Sequence, residues 1–360
     1  MQLIPSLTAA LLAAGAAAHP GEEAHHINRA AELSRREFRA AARRGLDSCA
    51  SKLQARGGLV EAAAKRRADK AAYYRERALA ARAAKGDRKR DTDSVLATDH
   101  NATDTLGYTV DTPESTIFAT NTTCILTPEG ETGPYWVKGE LIRESLQEDQ
   151  EGVPVTLEAQ FLDVETCEPL TDLYWDVWNC NATGVYSGLV ATGNGNTDDL
   201  SNYNTTFLRG IGKADDDGVV TFETLVPGHY SGRTNHVHMI AHLNPTVLPN
   251  NTLTGGTVPH VGQLFYDQDL VDAVEATYPY NTNTIDQTTN AEDRVFGIET
   301  EDDGTDPVLE YVYLTDDLTD GLFGWITIAV NTSASYDPAY SYAYTASGGV
   351  VESGGDDSSY

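Results

Sequence analysis

Beyond its first 18 residues the chain has no apolar run of the roughly 18 to 20 residues needed to span a bilayer, so no membrane anchor is expected. The stretch after Tyr344 is polar, so no lipid-anchor signal is expected there. Cysteine is scarce. The four cysteines, Cys49, Cys124, Cys167 and Cys180, show none of the spacings of a zinc site. Basic residues are scarce too once Arg90 is passed. Up to that point there are 19 Lys/Arg against 9 Asp/Glu, and the totals of 25 and 54 leave 6 (25 − 19) against 45 (54 − 9) in the remainder. A body this acidic repels nucleic acid and anionic membrane, so neither is an expected partner. No internal repeat is visible.

What is present reads as a secreted protein. Met1 to Ala18 combines an apolar Leu/Ala core with small residues at its end, which predicts a signal peptide over 1–18 even though the usual basic start is missing. Six glycosylation sequons, at Asn101, Asn121, Asn181, Asn204, Asn250 and Asn331, fit the same compartment. Four cysteines there suggest two disulfides, with Cys167 and Cys180 the expected pair and Cys49 with Cys124 the other.

Residues 19–90 form a basic arm rich in Ala and Arg, with helical spacing in two stretches separated by Gly57-Gly58. The arm either packs on the acidic body, makes a homodimer contact, or stays solvated. Arg88-Lys89-Arg90 also suggests a pro-segment that is removed. From 91 to 344 the texture becomes strands and Gly/Asn/Asp turns. Val153, Val155, Leu157, Ala159 and Phe161 alternate with polar residues, as in a strand buried on one face. Further strands are expected at 173–178, 219–225, 235–242, 309–314 and 325–330, so the fold class is all-β, a sandwich or barrel with an amino-terminal helical extension. The Gly/Ser/Asp-rich residues 345–360 read as a flexible tail.

The densest chemistry lies in Gly228-His229-Tyr230-Ser231-Gly232-Arg233-Thr234-Asn235-His236-Val237-His238. On a strand, His236 and His238 project from one face about 7 Å apart along the backbone, close enough to share a metal ion. The alternative is a pair of ordinary polar residues on a half-exposed strand. Tyr230, just ahead of the strand, and Tyr186, in the turn that follows the Trp175/Trp178 strand, are further ligand candidates. Two phenolates and two imidazoles suit a hard trivalent ion. A phenol with a reference pKa of about 10 ionises at neutral pH only beside strong positive charge. Each tyrosine could equally be a plain core or rim aromatic.

The segments Asn181 to Ser187, Pro227 to Tyr230, Gly232 to His238 and Gly262 to Tyr266 resemble the ordered motifs of the intradiol ring-cleavage dioxygenases, especially a secreted fungal branch. Gly133-Pro134-Tyr135-Trp136 and Phe207-Leu208-Arg209-Gly210 also fit that branch. The resemblance implies a β-sandwich core and non-haem Fe(III) held by Tyr186, Tyr230, His236 and His238. It implies an aromatic diol and O2 as substrates, opened between the two hydroxyl-bearing carbons to a muconate-type diacid. Tyr230 would be the phenolate that leaves and takes a substrate proton, with Arg233 and Gln263 beside the substrate and Tyr135 and Trp136 lining the pocket. An electrostatic donor such as Arg233 typically contributes about 3 kcal/mol to barrier lowering. Only Ser231 to Asn235 separate Tyr230 from His236, fewer residues than in the better-known catechol enzymes, so a more open site for larger plant phenolics is expected. Two rival readings remain. One is a non-catalytic module binding phenolics or glycans through Trp175, Trp178 and the tyrosines; the other is a zinc hydrolase using the two histidines and a carboxylate.

Overall fold

The computed structural model describes residues 59–85, 130–300, 306–345 and 348–354, apart from 192, 197 and 316. The signal-peptide region, the first expected helix, the basic triplet at 88–90, Cys49, Cys124 and the sequons at Asn101 and Asn121 lie outside the described residues. In chain order the elements are helix α1 (Leu59–Lys85), strands β1 (Val137–Lys138), β2 (Pro154–Asp163), β3 (Leu173–Trp178), β4 (Arg209–Lys213), β5 (Val219–Leu225), β6 (His236–Leu243), β7 (Thr246–Val247), β8 (Leu253–Thr254) and β9 (Thr257–Phe265), helices α2 (Gln268–Glu275) and α3 (Arg294–Glu299), and strands β10 (Glu310–Tyr313), β11 (Leu322–Val330), β12 (Tyr340–Thr345) and β13 (Gly348–Gly354).

Two four-stranded sheets, ordered β10-β11-β2-β5 and β4-β3-β6-β9, face each other, which bears out the all-β sandwich with an amino-terminal helix. Strand alternation decides what goes between them. Val155, Leu157, Ala159 and Phe161 of β2 meet Trp175 and Val177 of β3 and Val237, Met239 and Ala241 of β6 in one apolar core. Side chains of the opposite parity on the second sheet, including Asp176, Trp178, His236 and His238, therefore point outward, where a small β1-β12-β13 sheet and its loops bury them.

The polar face of β2 is buried as well, contrary to the one-sided strand expected from its alternation. Its cover comes from far upstream in the chain. Helix α1 lays Ala64, Ala68, Ala71, Tyr74 and Ala78 on Val312, Leu314, Phe323 and Trp325. It also surrounds the Glu158 carboxylate of β2 with Arg66, Arg67 and Lys70 at 3.5, 3.2 and 3.2 Å. The basic arm thus packs on the acidic body along this helix, by apolar contact and by charge. No described helix is long and apolar enough to cross a membrane.

Two further expectations change. Cys180 is a buried free thiol that donates to the Gly228 carbonyl at 3.2 Å, so the bridge expected between Cys167 and Cys180 does not form. Cys167 is itself disulfide-bonded. Residues 348–354, read as part of a flexible tail, form β13 against β12, which runs parallel to β1; their Gly-rich composition had masked a strand.

Candidate metal centre

The two histidines leave β6 on the outward face, with His238 opposite Trp178 of β3 and Gln263 of β9, and His236 opposite Phe265. Their imidazoles are fixed from behind. His236 Nδ1 donates to the Thr234 carbonyl at 2.6 Å, which puts the ring's lone pair on Nε2, facing the site. Trp178 stacks on the His238 ring, with centroids 5.1 Å apart and planes within 5°.

The tyrosines arrive on two turns that press together. Asn181 Oδ1 accepts from the Thr183 and Val185 amides, and the turn it organises sets Gly184 at φ +84°. A Cβ on Gly184 would lie 2.4 Å from the His229 carbonyl, so only glycine lets this turn reach the segment that carries Tyr230. The Tyr186 backbone is clamped by Asn194, which accepts from its amide at 2.7 Å and donates to its carbonyl at 2.8 Å; Asn202 donates to the same carbonyl. Asn181 also donates to Gln150, so a sequon expected to carry a glycan is built into the site's scaffold.

The result is convergence. His236 Nε2 lies 3.0 Å from His238 Nε2, 3.3 Å from the Tyr230 hydroxyl and 3.4 Å from that of Tyr186. Donors sharing one ion through bonds of about 2 Å, at angles between octahedral and tetrahedral, are roughly 2.8 to 3.3 Å apart; His238 and Tyr230 fall in that range of His236, and Tyr186 at 3.4 Å falls just beyond it. All four residues are at most 1 % exposed. The four ligand candidates are thus withdrawn from solvent. Burial, then the neighbouring Tyr230 and Cys180, pushes the Tyr186 phenol well above its ordinary pKa; Tyr230 is raised chiefly by burial against the opposing charge of Arg233. A bound trivalent cation is the counter-charge that would reverse this. Among the described residues no group of three His, Cys, Asp or Glu could hold a metal, so the tyrosines are needed to complete a donor set.

Around this centre the expected pocket residues separate. Tyr135 packs on both tyrosines, its ring 4.8 Å from Tyr186 and 6.0 Å from Tyr230. Trp136 stands one layer back, beside Trp178 at 6.3 Å, with its indole N–H donating to Asp176. It therefore supports the wall instead of lining the site. Arg233 is buried and extends Nη1 to within 3.5 Å of the Tyr230 hydroxyl and Nη2 to Gln263 Oε1. Gln263 in turn donates to the Glu131 carbonyl at 2.9 Å. The charge of Arg233 is balanced by Asp293, which lies far along the chain and escaped the sequence reading together with Asn194 and Asn202. Nothing in local spacing could have pointed to them.

A second buried polar cluster lies along the same face. Glu140 pairs with Arg209 at 3.0 Å, Asp176 meets His242 at 3.2 Å, and the Arg209 guanidinium sits 5.8 Å from the Tyr186 ring centre. Burial, and secondarily the charge of Asp176, raises the Glu140 carboxyl; burial moves Asp176 up to about 6 against the hydrogen bonds of Glu140 and Trp136 and the charge of Arg209.

Residues 132–247 match the family model described as Dioxygenase. A solved intradiol ring-cleavage dioxygenase from Tetranychus urticae is 29% identical, the match covering 59% of this chain and 97% of its own, with a TM-score of 0.47. A further solved dioxygenase is 30% identical, with coverages of 59% and 97% and a TM-score of 0.48. The dioxygenase domain of a carbohydrate-binding fusion protein from Streptomyces sp. SirexAA-E is 24% identical, with coverages of 57% and 98% and a TM-score of 0.37. No curated protein matches the chain. Tyr186, Tyr230, His236 and His238 all lie within the stretch that matches the Dioxygenase family model.

Proposed function

We propose that the protein is a secreted non-haem Fe(III) dioxygenase that opens catechol-type diols between their hydroxyl-bearing carbons, giving muconate-type diacids. One observation carries this reading: His238 Nε2 and the phenol oxygens of Tyr230 and Tyr186 lie 3.0 to 3.4 Å from His236 Nε2, all four residues being buried. Tyr186, Tyr230, His236 and His238 would hold the iron. Bound there, Fe(III) would supply the Lewis acidity that keeps tyrosine ionised and draws electron density from a chelated diol, making its ring reactive toward O2.

The surrounding residues have separable tasks. Tyr230 offers the oxygen to which an arriving diol can pass a proton, and Arg233 beside it stabilises the negative charge that the proton leaves behind. Gln263 fixes the other arm of that guanidinium. Tyr135 and the buried walls exclude water, which strengthens each of these interactions. Secretion rests on the apolar first 18 residues and on the sequons.

The rivals lose support. Trp175 is buried between the sheets and Trp178 is stacked on His238, so neither offers a face to a glycan or phenolic. A zinc hydrolase would need a carboxylate beside the histidines, and the described residues supply none. The test is incubation of the iron-loaded protein with catechol, hydroxyquinol, caffeate and protocatechuate under labelled O2. A ring-opened diacid carrying both labelled atoms supports the reading; no product, or cleavage outside the two hydroxyl carbons, would refute it.

A further inference from the structure

Asp293 divides its carboxylate between two tasks. Oδ1 accepts from the amides of Val295 and Phe296 at 2.8 and 2.9 Å, capping α3. Oδ2 accepts from Arg233 Nε and from the Thr234 amide, both at 2.8 Å. The Asp293 and Arg233 side chains are both fully buried. Because a guanidinium is a rigid planar fork, holding its Nε edge determines where its two outer nitrogens point. Here they point at the Tyr230 hydroxyl and at Gln263. The Thr234 backbone is held on both sides, its N–H donating to Asp293 and its carbonyl accepting from His236 Nδ1.

We propose that Asp293 is a positioning residue that acts through Arg233, aiming the guanidinium at Tyr230 and Gln263 for the ring-cleavage reaction. The proposal rests on the functional reading above. The competing account is that Asp293 merely caps a short helix. The two separate cleanly, because asparagine caps a helix about as well as aspartate but cannot balance a guanidinium.

The experiment compares iron-loaded parent, Asp293→Asn, Arg233→Gln and the double variant for kcat and KM on catechol, iron content and visible absorption. Asp293→Asn is expected to keep its iron, shift the visible band, and lose about 10- to 100-fold in kcat with KM changed much less. On the Arg233→Gln background the same substitution is expected to change kcat by less than about threefold, since nothing remains to be aimed. Parent-like kcat with an unshifted band would overturn the proposal, as would losses that multiply in the double variant. If Asp293→Asn does not fold, Asp293→Glu keeps the charge but displaces it by one methylene, and is expected to lower kcat more than KM; full kcat there also overturns it. A parent that binds iron but opens no ring refutes the functional reading and this role with it. Non-additive melting temperatures of the metal-free variants would then still report whether Asp293 and Arg233 are paired.

Discussion

Replacing Glu158 with Gln is expected to destabilise the protein more than replacing any one of the cations around it. Its carboxylate is fully buried and meets Arg67 at 3.2 Å, Lys70 at 3.2 Å and Arg66 at 3.5 Å. Glu158→Gln leaves three cations facing one another under α1 with their shared anion gone, whereas Arg67→Gln leaves the anion with two cations. Removing one side of a buried pair typically costs about 3 to 5 kcal/mol. At roughly 2 to 4 °C per kcal/mol for a domain of this size, Tm should fall by about 6 to 20 °C. For Arg67→Gln the remaining partners retain most of the attraction, so the fall should be no more than about half of that. Differential scanning calorimetry of the two variants, with far-UV circular dichroism to follow the helix, reads the difference. An unchanged Tm in Glu158→Gln, or a larger fall in Arg67→Gln, would refute the idea that this carboxylate fastens α1 to the sheet. The same pair bears on the basic triplet at 88–90: a helix fastened this way should stay bound if the chain is cut there.

Two other outcomes follow from the buried polar network and the sequon in the Tyr186 turn. Asp176 and Glu140 have folded-state carboxyls raised above their unfolded values. The folded form therefore binds more protons, and their contribution to stability is present at low pH and is lost as pH rises from about 4 through 6 and beyond. With Glu140, Arg209 and His242 facing it, Asp176→Asn should flatten that part of the parent's Tm-versus-pH curve, and two parallel curves would contradict the assignment. In a glycosylating host, peptide mass mapping of the folded, iron-binding fraction should find no glycan at Asn181, whose amide is committed to Gln150 and whose carbonyl oxygen holds the turn, while exposed Asn204 and Asn250 remain open to modification. A glycan at Asn181 in that fraction would mean the turn forms differently.

Much of the centre is written locally, and that part is legible. Tyr230, Arg233, His236 and His238 fall within nine residues, and strand parity alone brings the two imidazoles to one face. Tyr186 needed the resemblance, because no spacing rule links a turn after β3 to β6. The supports are the less legible layer. Asp293, Asn194 and Asn202 act through tertiary contacts, and as isolated Asp and Asn in loops they look like any turn residue. The same holds for the fold. The β2, β3 and β5 patterns predict strands, but whether the second face of β2 meets water depended on a helix roughly 70 residues or more upstream. Cysteine pairing failed for a similar reason: proximity in sequence favoured Cys167 with Cys180, whereas Cys180 points its thiol at Gly228.

The claim that two tyrosines and two histidines share a ferric ion is tested most directly by metal analysis and visible spectroscopy of the purified protein, beside Tyr186→Phe and Tyr230→Phe. One iron per chain is expected, with a broad visible absorption that is bleached or shifted in each variant. A colourless protein without iron, or a spectrum that neither substitution alters, would contradict it.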